Sequence, residues 1–159
     1  DIQVSSNFER LVYDAYGRDG AAVRRLMGNL AQSGAFTLDP LRLDAIRTLF
    51  SAARVSEEET ARTIARTLAE TGILVDPHTA VGLAAARAGR GDGATPMVTL
   101  ATAHPAKFPD AVEKAAGVRP ALPARMKDLF ERRERLEVLP NDLNVVEAFI
   151  RERARAVVV

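Results

Sequence analysis

Signals that start and stop helices recur along this chain and limit it to a succession of short helices. Asp39 stands before Pro40 and Asp76 stands before Pro77, so each carboxylate can cap free amides beside a proline that loses no hydrogen bond at the first helical position. Three predicted helices are each followed by a glycine suited to a left-handed stop: Gly34, Gly72 and Gly117. A chain punctuated in this way is predicted to be helix-rich.

Apolar residues at helical spacing mark the faces that these helices bury. Ser6 with Glu9 and Ser56 with Glu59 form capping boxes at two further helix starts. The apolar positions predicted to face inward are Leu11 and Val12, Val23, Leu26 and Leu30, Ile46, Leu49 and Phe50, Ile64 and Leu68, and Met126, Leu129 and Phe130. With 47% hydrophobic residues among 159, the chain can bury a core and is expected to form one domain.

Short apolar segments between the helices indicate strands. Residues 73–75, Ile-Leu-Val, lie between a glycine stop and the Asp76 helix start, which is typical of a strand covered on both faces. Residues 97–101 form a second such segment, and residues 35–38 are predicted to form a short extended piece. The sequence therefore predicts an α/β fold that is helix-rich, with few short, mainly parallel strands flanked by helices.

Composition excludes several classes of function. The chain has 22 basic and 21 acidic residues, so its net charge of +1 attracts neither nucleic acid nor an anionic membrane. It has no apolar run of the roughly 20 residues that span a bilayer. With no cysteine and two histidines, it has no disulfide or thiolate chemistry, and we expect no metal site. We expect no nucleic-acid partner, no membrane partner and a cytoplasmic location.

Four runs of sequence carry a family resemblance. They are DIQVSSNFERL at the start, GILVDPHTAVG in the middle, MVTLATAHPAKFPDAV at 97–112, and LPND near the end. In this order they resemble the C-terminal part of threonine synthase, a pyridoxal-phosphate (PLP) enzyme of the tryptophan-synthase-like group, in its longer bacterial and fungal branch. The resemblance spans nearly all of residues 1–159, which we interpret as a single C-terminal portion of such an enzyme.

The resemblance implies that the complete enzyme converts O-phosphohomoserine and water to threonine and phosphate, with pyridoxal 5'-phosphate as its cofactor. It also implies an upstream cofactor domain that carries the Schiff-base lysine and the glycine-rich loop for the cofactor phosphate. The chain opens at Asp1 without a methionine, and its only lysines, Lys107, Lys114 and Lys127, lie in other contexts. We therefore expect this fragment of a PLP-dependent lyase to contain no catalytic residue and to be inactive on its own.

Two cofactor-binding candidates follow the strand predicted at 97–101. Ligands of open α/β sheets bind beyond the carboxyl ends of the strands, where helix starts point inward. The resemblance implies that the neutral Thr102 hydroxyl bonds the pyridine nitrogen, although a threonine at a strand end is often only a turn or capping residue. His104 precedes Pro105, which favours an extended backbone and a ring that faces the cleft; a histidine packed to stabilise the corner is the alternative.

Asp76, His78 and Thr79 form a second group at a helix start, and Asp76 and His78 are the other two cofactor-binding candidates. The resemblance implies that Asp76 forms a wall of the cofactor cavity with His78 beside it, at a helix start whose dipole favours negative charge. A simple helix cap is the alternative for Asp76. The resemblance also places residues 5–7 on the opposite side of the same cavity, and capping alone explains Ser6.

Two other functions remain open at this point. Abundant arginines and well-formed amphipathic helices also suit a helical interaction module with no chemistry. A related elimination enzyme or dehydratase with the same cofactor is the second alternative. The charged run ERRER at 131–135 is typical of a solvated helix face, since no aromatic residue interleaves it.

Overall fold

The computed structural model describes residues 6–155, which contain seven α-helices and three short 3-10 turns. The helices, numbered in chain order, are α1 (Ser6–Ala15), α2 (Gly20–Ser33), α3 (Pro40–Arg47), α4 (Glu57–Thr71), α5 (Pro77–Ala88), α6 (Pro109–Ala116) and α7 (Leu143–Arg153). The 3-10 turns are Pro105–Lys107, Ala124–Met126 and Leu129–Glu131. The predictions that concern Ser5 and the side chain of Ser6 lie outside the described residues.

The helix boundaries follow the predicted capping chemistry. Asp39 accepts a hydrogen bond from the backbone N–H of Leu41 at 3.0 Å, and Ser56 accepts one from the backbone N–H of Glu59 at 3.2 Å. The three predicted glycine stops have left-handed φ angles of 74° at Gly34, 72° at Gly72 and 69° at Gly117. The predicted starts and stops of these helices are confirmed.

Helix α4 lies at the centre of the main core. It packs against both α5 and α6. One residue from each of the three helices, Ile64, Ala80 and Val112, joins a fully buried cluster. Helix α1 packs separately against α2 and α3, and its Val12 is fully buried. The segment that follows α4 and the start of α5 are thereby fixed against the main core.

None of the predicted strands forms within residues 6–155. Segments 35–38, 73–75 and 97–101 are irregular, and within the described part of the chain none makes a backbone–backbone hydrogen bond. A strand requires a neighbouring strand that satisfies its backbone groups, whereas residues 74–75 pack here against the helical core cluster. The helix-rich part of the fold prediction is confirmed, and the few short parallel strands are not.

Two predicted buried faces are wrong. Leu49 is 83% exposed and Phe50 is also exposed, because α3 ends before these residues can share a buried face with Ile46. Phe130 is 87% exposed, since residues 124–131 form two short turns instead of one amphipathic helix. The charged run that follows contains too few apolar positions to extend a buried face there.

Candidate functional site

The carboxylate of Asp76 is fully buried and caps the start of α5. Its Oδ1 accepts a hydrogen bond from the backbone N–H of His78 at 2.9 Å, and its Oδ2 accepts one from the backbone N–H of Thr79 at 3.4 Å. Pro77 at the first helical position has no N–H to satisfy, so the carboxylate serves the two amides that follow. Asp76 thus defines where this helix begins.

The side chain of Thr79 connects that carboxylate to Thr102. Its hydroxyl donates a hydrogen bond to Asp76 Oδ2 and accepts one from the backbone N–H of Thr102 at 3.1 Å. Thr79 is 5% exposed, so the connection is made away from water. Two successive hydrogen bonds therefore join the capping carboxylate to the backbone at position 102.

One turn further along α5, Gly82 makes a second close approach to the same segment. A Cβ atom at this position would lie 3.1 Å from Thr99 Cγ2, so the absence of a side chain allows α5 to come this near. Residues three positions apart share a helix face, as Thr79 and Gly82 do. Residues 99–102 are therefore held against one face of α5 at two points.

We expect alanine to have different effects at two helical glycines. Alanine at Gly28 in α2 would meet no atom within 4 Å, so Gly28→Ala should raise the free energy of unfolding by about 0.5–1 kcal/mol through its better helix propensity. Gly82→Ala should lose most of this gain, because its methyl group presses on Thr99. Thermal unfolding of both variants measures the difference. A Gly82→Ala variant that melts above Gly28→Ala would contradict the close contact.

Thr102 is exposed and is held through its backbone. Within residues 6–155, its hydroxyl makes no hydrogen bond, whereas its N–H is bonded to buried Thr79. The main chain at Thr102 is therefore fixed, and its side-chain hydroxyl is available to a ligand.

His78 joins the Asp76 carboxylate to the main core. Its Nδ1 lies 3.2 Å from Asp76 Oδ1, so the ring donates its Nδ1–H to the carboxylate and, when neutral, keeps Nε2 as an acceptor. The ring packs on Phe108, with the two ring centroids 4.9 Å apart. Its side chain remains 30% exposed, which leaves one edge of the ring accessible.

His104 occupies a separate position, at the start of the turn Pro105–Lys107. It is exposed, and its Nδ1 accepts a hydrogen bond from the backbone N–H of Ala106 at 3.2 Å. Because Nδ1 accepts, the neutral ring carries its proton on Nε2. Among the described residues, no hydrogen bond joins His104 to the other three site candidates.

The structure links Asp76 to Thr102 through Thr79, and His78 bonds the same carboxylate directly. The sequence groups Thr79 with Asp76 and His78 at the helix start but does not show this link to Thr102. A threonine three residues after a capping aspartate is a visible helix-start pattern, but the residue that it holds lies 23 positions away. The close approach at Gly82 agrees with the sequence, in which Gly82 and other small residues of this helix predict tight packing against a neighbour. The sequence shows a helix rich in small residues without showing which segment approaches it.

Other features of the described surface lie apart from this cluster. One open depression of about 810 Å³ is lined by residues between 129 and 136, and another of about 430 Å³ lies between α4 and α5. Hydrogen bonding by Arg132 holds the pKa of Asp128 below its usual value, and Arg66 does the same for the pKa of Glu70. Residues 6–155 contain no group of three or more potential metal-ligating side chains and no helix long and apolar enough to cross a membrane.

Comparisons with known proteins match most of the chain to one family. The family model "Threonine synthase, C-terminal" matches residues 79–150. The chain is 53% identical over 151 residues to the threonine synthase of Pseudomonas aeruginosa, an alignment that covers 94% of this chain and 32% of that protein.

Two solved structures have the same fold over this region. The crystal structure of PLP-bound threonine synthase from Brucella melitensis matches with a TM-score of 0.69 and 54% identity, covering 96% of this chain and 33% of that one. Yeast threonine synthase matches with a TM-score of 0.66 and 31% identity, covering 94% of this chain and 34% of that one. The chain spans about a third of the length of the relatives that it matches.

Proposed function

Because this chain belongs to the threonine synthase family, we propose that it forms the C-terminal part of an enzyme that converts O-phosphohomoserine and water to threonine and phosphate. It supplies one wall of the active site. The rest of the protein supplies the lysine that binds the cofactor and the loop that holds the cofactor phosphate. The observation that carries this proposal is the exposed hydroxyl of Thr102. The backbone of Thr102 is bonded to the buried Thr79, and the chain is 53% identical to a threonine synthase.

The residues around Thr102 suit pyridoxal 5'-phosphate, the cofactor bound by the Brucella relative. When bound, this cofactor withdraws electrons from the α carbon of the substrate, which makes elimination and replacement possible. The Thr102 hydroxyl is exposed and, within residues 6–155, has no protein partner, so it is free to donate to the pyridine nitrogen. A neutral hydroxyl makes this hydrogen bond without transferring a proton to the nitrogen.

The neighbouring side chains orient the cofactor and substrate and do not react with them. Asp76 already accepts from the first amides of α5 and from Thr79, so it supports Thr102 from the buried side of the cavity wall. His78 extends this wall through its packing on Phe108. His104, whose Nδ1 is used by its own turn, presents an Nε2–H donor to an anionic group of the cofactor or substrate.

Exposed apolar residues on the irregular segments mark where the upstream cofactor domain docks. Ile73, Val98 and Leu100 are each more than half exposed. They lie in 73–75 and 97–101, which have no backbone partners among the described residues. Pairing of these segments with strands of the cofactor domain would cover the apolar side chains and complete the α/β sheet.

The test uses the full-length protein encoded by the gene that contains this chain. We expect it to bind pyridoxal phosphate and to release phosphate from O-phosphohomoserine. Thr102→Val should lower kcat by about tenfold or more, because one lost hydrogen bond of about 1.4 kcal/mol corresponds to a factor of ten. Thr37→Val removes the hydroxyl from another exposed threonine in an irregular segment and should leave kcat unchanged.

Each outcome addresses a different part of the proposal. A full-length protein that releases no phosphate would exclude the reaction and favour a helical interaction module, for which the exposed apolar residues are also suited. A Thr102→Val enzyme with unchanged kcat and cofactor absorption would refute the role of Thr102 alone. The isolated chain of residues 1–159 should release no phosphate and form no borohydride-trapped adduct with the cofactor.

A further inference from the structure

We infer that Thr79 is a positioning residue for the cofactor ring: its hydroxyl fixes the backbone of Thr102 and thereby aims the side chain that meets the pyridine nitrogen. The inference rests on the proposed function and extends its site by one residue. Thr79 is 5% exposed and lies behind Thr102, so it acts through Thr102 and not by contact with the ring.

The two partners of Thr79 leave its hydroxyl only one arrangement. On one side lies Asp76 Oδ2, which accepts the hydroxyl proton, and on the other side lies the backbone N–H of Thr102, which can only donate. The proton therefore points to the carboxylate and a lone pair points to Thr102. Asp76 thus fixes the rotation of this hydroxyl, and only serine among the other small side chains can replace it in both roles.

Burial makes this hydrogen-bond pair difficult to replace with water. Asp76 is fully buried and Thr79 nearly so. Removal of the Thr79 hydroxyl would leave the carboxylate without one of its donors and the N–H of Thr102 without its acceptor. The N–H can recover a partner only if residue 102 shifts toward solvent, and such a shift would move the Thr102 side chain with it.

The contact between Gly82 and Thr99 defines how that shift would occur. It restrains the chain at Thr99, three residues before Thr102. A Cβ atom added to Gly82 would lie only 3.1 Å from Thr99 Cγ2. Without the Thr79 hydroxyl, this apolar contact still holds Thr99 against α5. We expect the segment to turn about Thr99 and to displace Thr102.

The experiment compares three variants of the full-length protein. Thr79→Val removes the hydroxyl with little change of shape, and Thr79→Ser keeps it. Thr67→Val is the matched control: Thr67 is 6% exposed, and its hydroxyl donates to the Thr63 carbonyl inside α4 at 2.7 Å, on a different helix from Thr79. Both Thr79→Val and Thr67→Val should lower the melting temperature, Thr79→Val by more, because it removes two hydrogen bonds and Thr67→Val removes one.

Thr79→Val alone should change the cofactor readouts. We expect about a tenfold lower kcat, about a tenfold weaker affinity for pyridoxal phosphate and an altered cofactor absorption band, with KM changed less than kcat. Thr79→Ser should restore most of each value. Thr67→Val with the same losses, or Thr79→Val with unchanged affinity and absorption, would overturn the inference, because a purely structural role affects only melting.

A measurement without cofactor separates this inference from the proposed function. In the cofactor-free full-length protein, hydrogen exchange of a peptide covering 99–104 should be faster in Thr79→Val than in Thr67→Val or in the parent protein. Equal exchange in all three would refute the inference even if the enzyme is active. Failure of the parent protein to release phosphate would instead refute the proposed function, and the exchange result would still decide whether Thr79 anchors Thr102.

Discussion

Ile64→Ala is expected to lower the free energy of unfolding by about 3 kcal/mol. Ile64 is 1% exposed and lies where α4 meets α5 and α6, in a cluster with Ala80 and Val112. Because Ala80 is small and both neighbours are fixed on other helices, the space left by the deleted atoms closes only in part. Hydrogen exchange of the α4 amides in the full-length protein measures the loss, since these amides exchange when the core opens.

The matched control for this prediction is Ile150→Ala. The substitution deletes the same atoms from a helical side chain of α7 that is 57% exposed and lies outside the segments proposed to dock, so we expect a change within about 0.5 kcal/mol. Similar losses at both positions would show that Ile64 is not the centre of the core.

Asp76→Ala is expected to lower the free energy of unfolding by about 2–3 kcal/mol. The substitution removes the cap of α5, a loss of about 1 kcal/mol, and leaves the Thr79 hydroxyl and the His78 Nδ1–H without their buried acceptor, at a further cost of about 1–2 kcal/mol. The hydrogen bonds to these two groups are direct in the structure. Faster hydrogen exchange of the α5 amides measures the effect.

Asp76→Asn provides the comparison for this substitution. Asparagine caps helices about as well as aspartate and keeps one oxygen for the backbone N–H of His78, so we expect it to cost clearly less than alanine. Its amide nitrogen cannot accept from the Thr79 hydroxyl, which should weaken the hold on Thr102. Equal destabilisation by alanine and asparagine would show that the charge of Asp76, and not its capping geometry, stabilises this region.

Helix boundaries were predictable because a cap joins residues that are two or three positions apart. Asp39, Ser56 and Asp76 each bond amides within three residues, so the local sequence contains the whole interaction. Burial was less predictable. The spacing of Leu49 suggested a buried face, but spacing does not state where a helix ends, and α3 ends at Arg47.

Contacts between distant segments could not be predicted from one sequence. The apolar residues at 73–75 and 97–101 indicated strands, but a strand depends on a partner that the pattern does not identify, and residues 6–155 provide none. The resemblance implied cofactor-site roles for Thr102 and Asp76, which remain proposals, and did not show that Thr79 joins them. That connection depends on how closely α5 approaches residues 99–102, which only the three-dimensional packing determines.

Position 102 is attached to α5 through its main-chain amide and not through its side chain. Every residue type except proline carries this amide, so the side chain can change while the attachment stays the same. Serine, aspartate or arginine at this position would each present a different polar group from the same main-chain position. Under the proposed function, a single substitution at this position would change the electronic character of the bound heterocycle and leave the helix beneath it as it is.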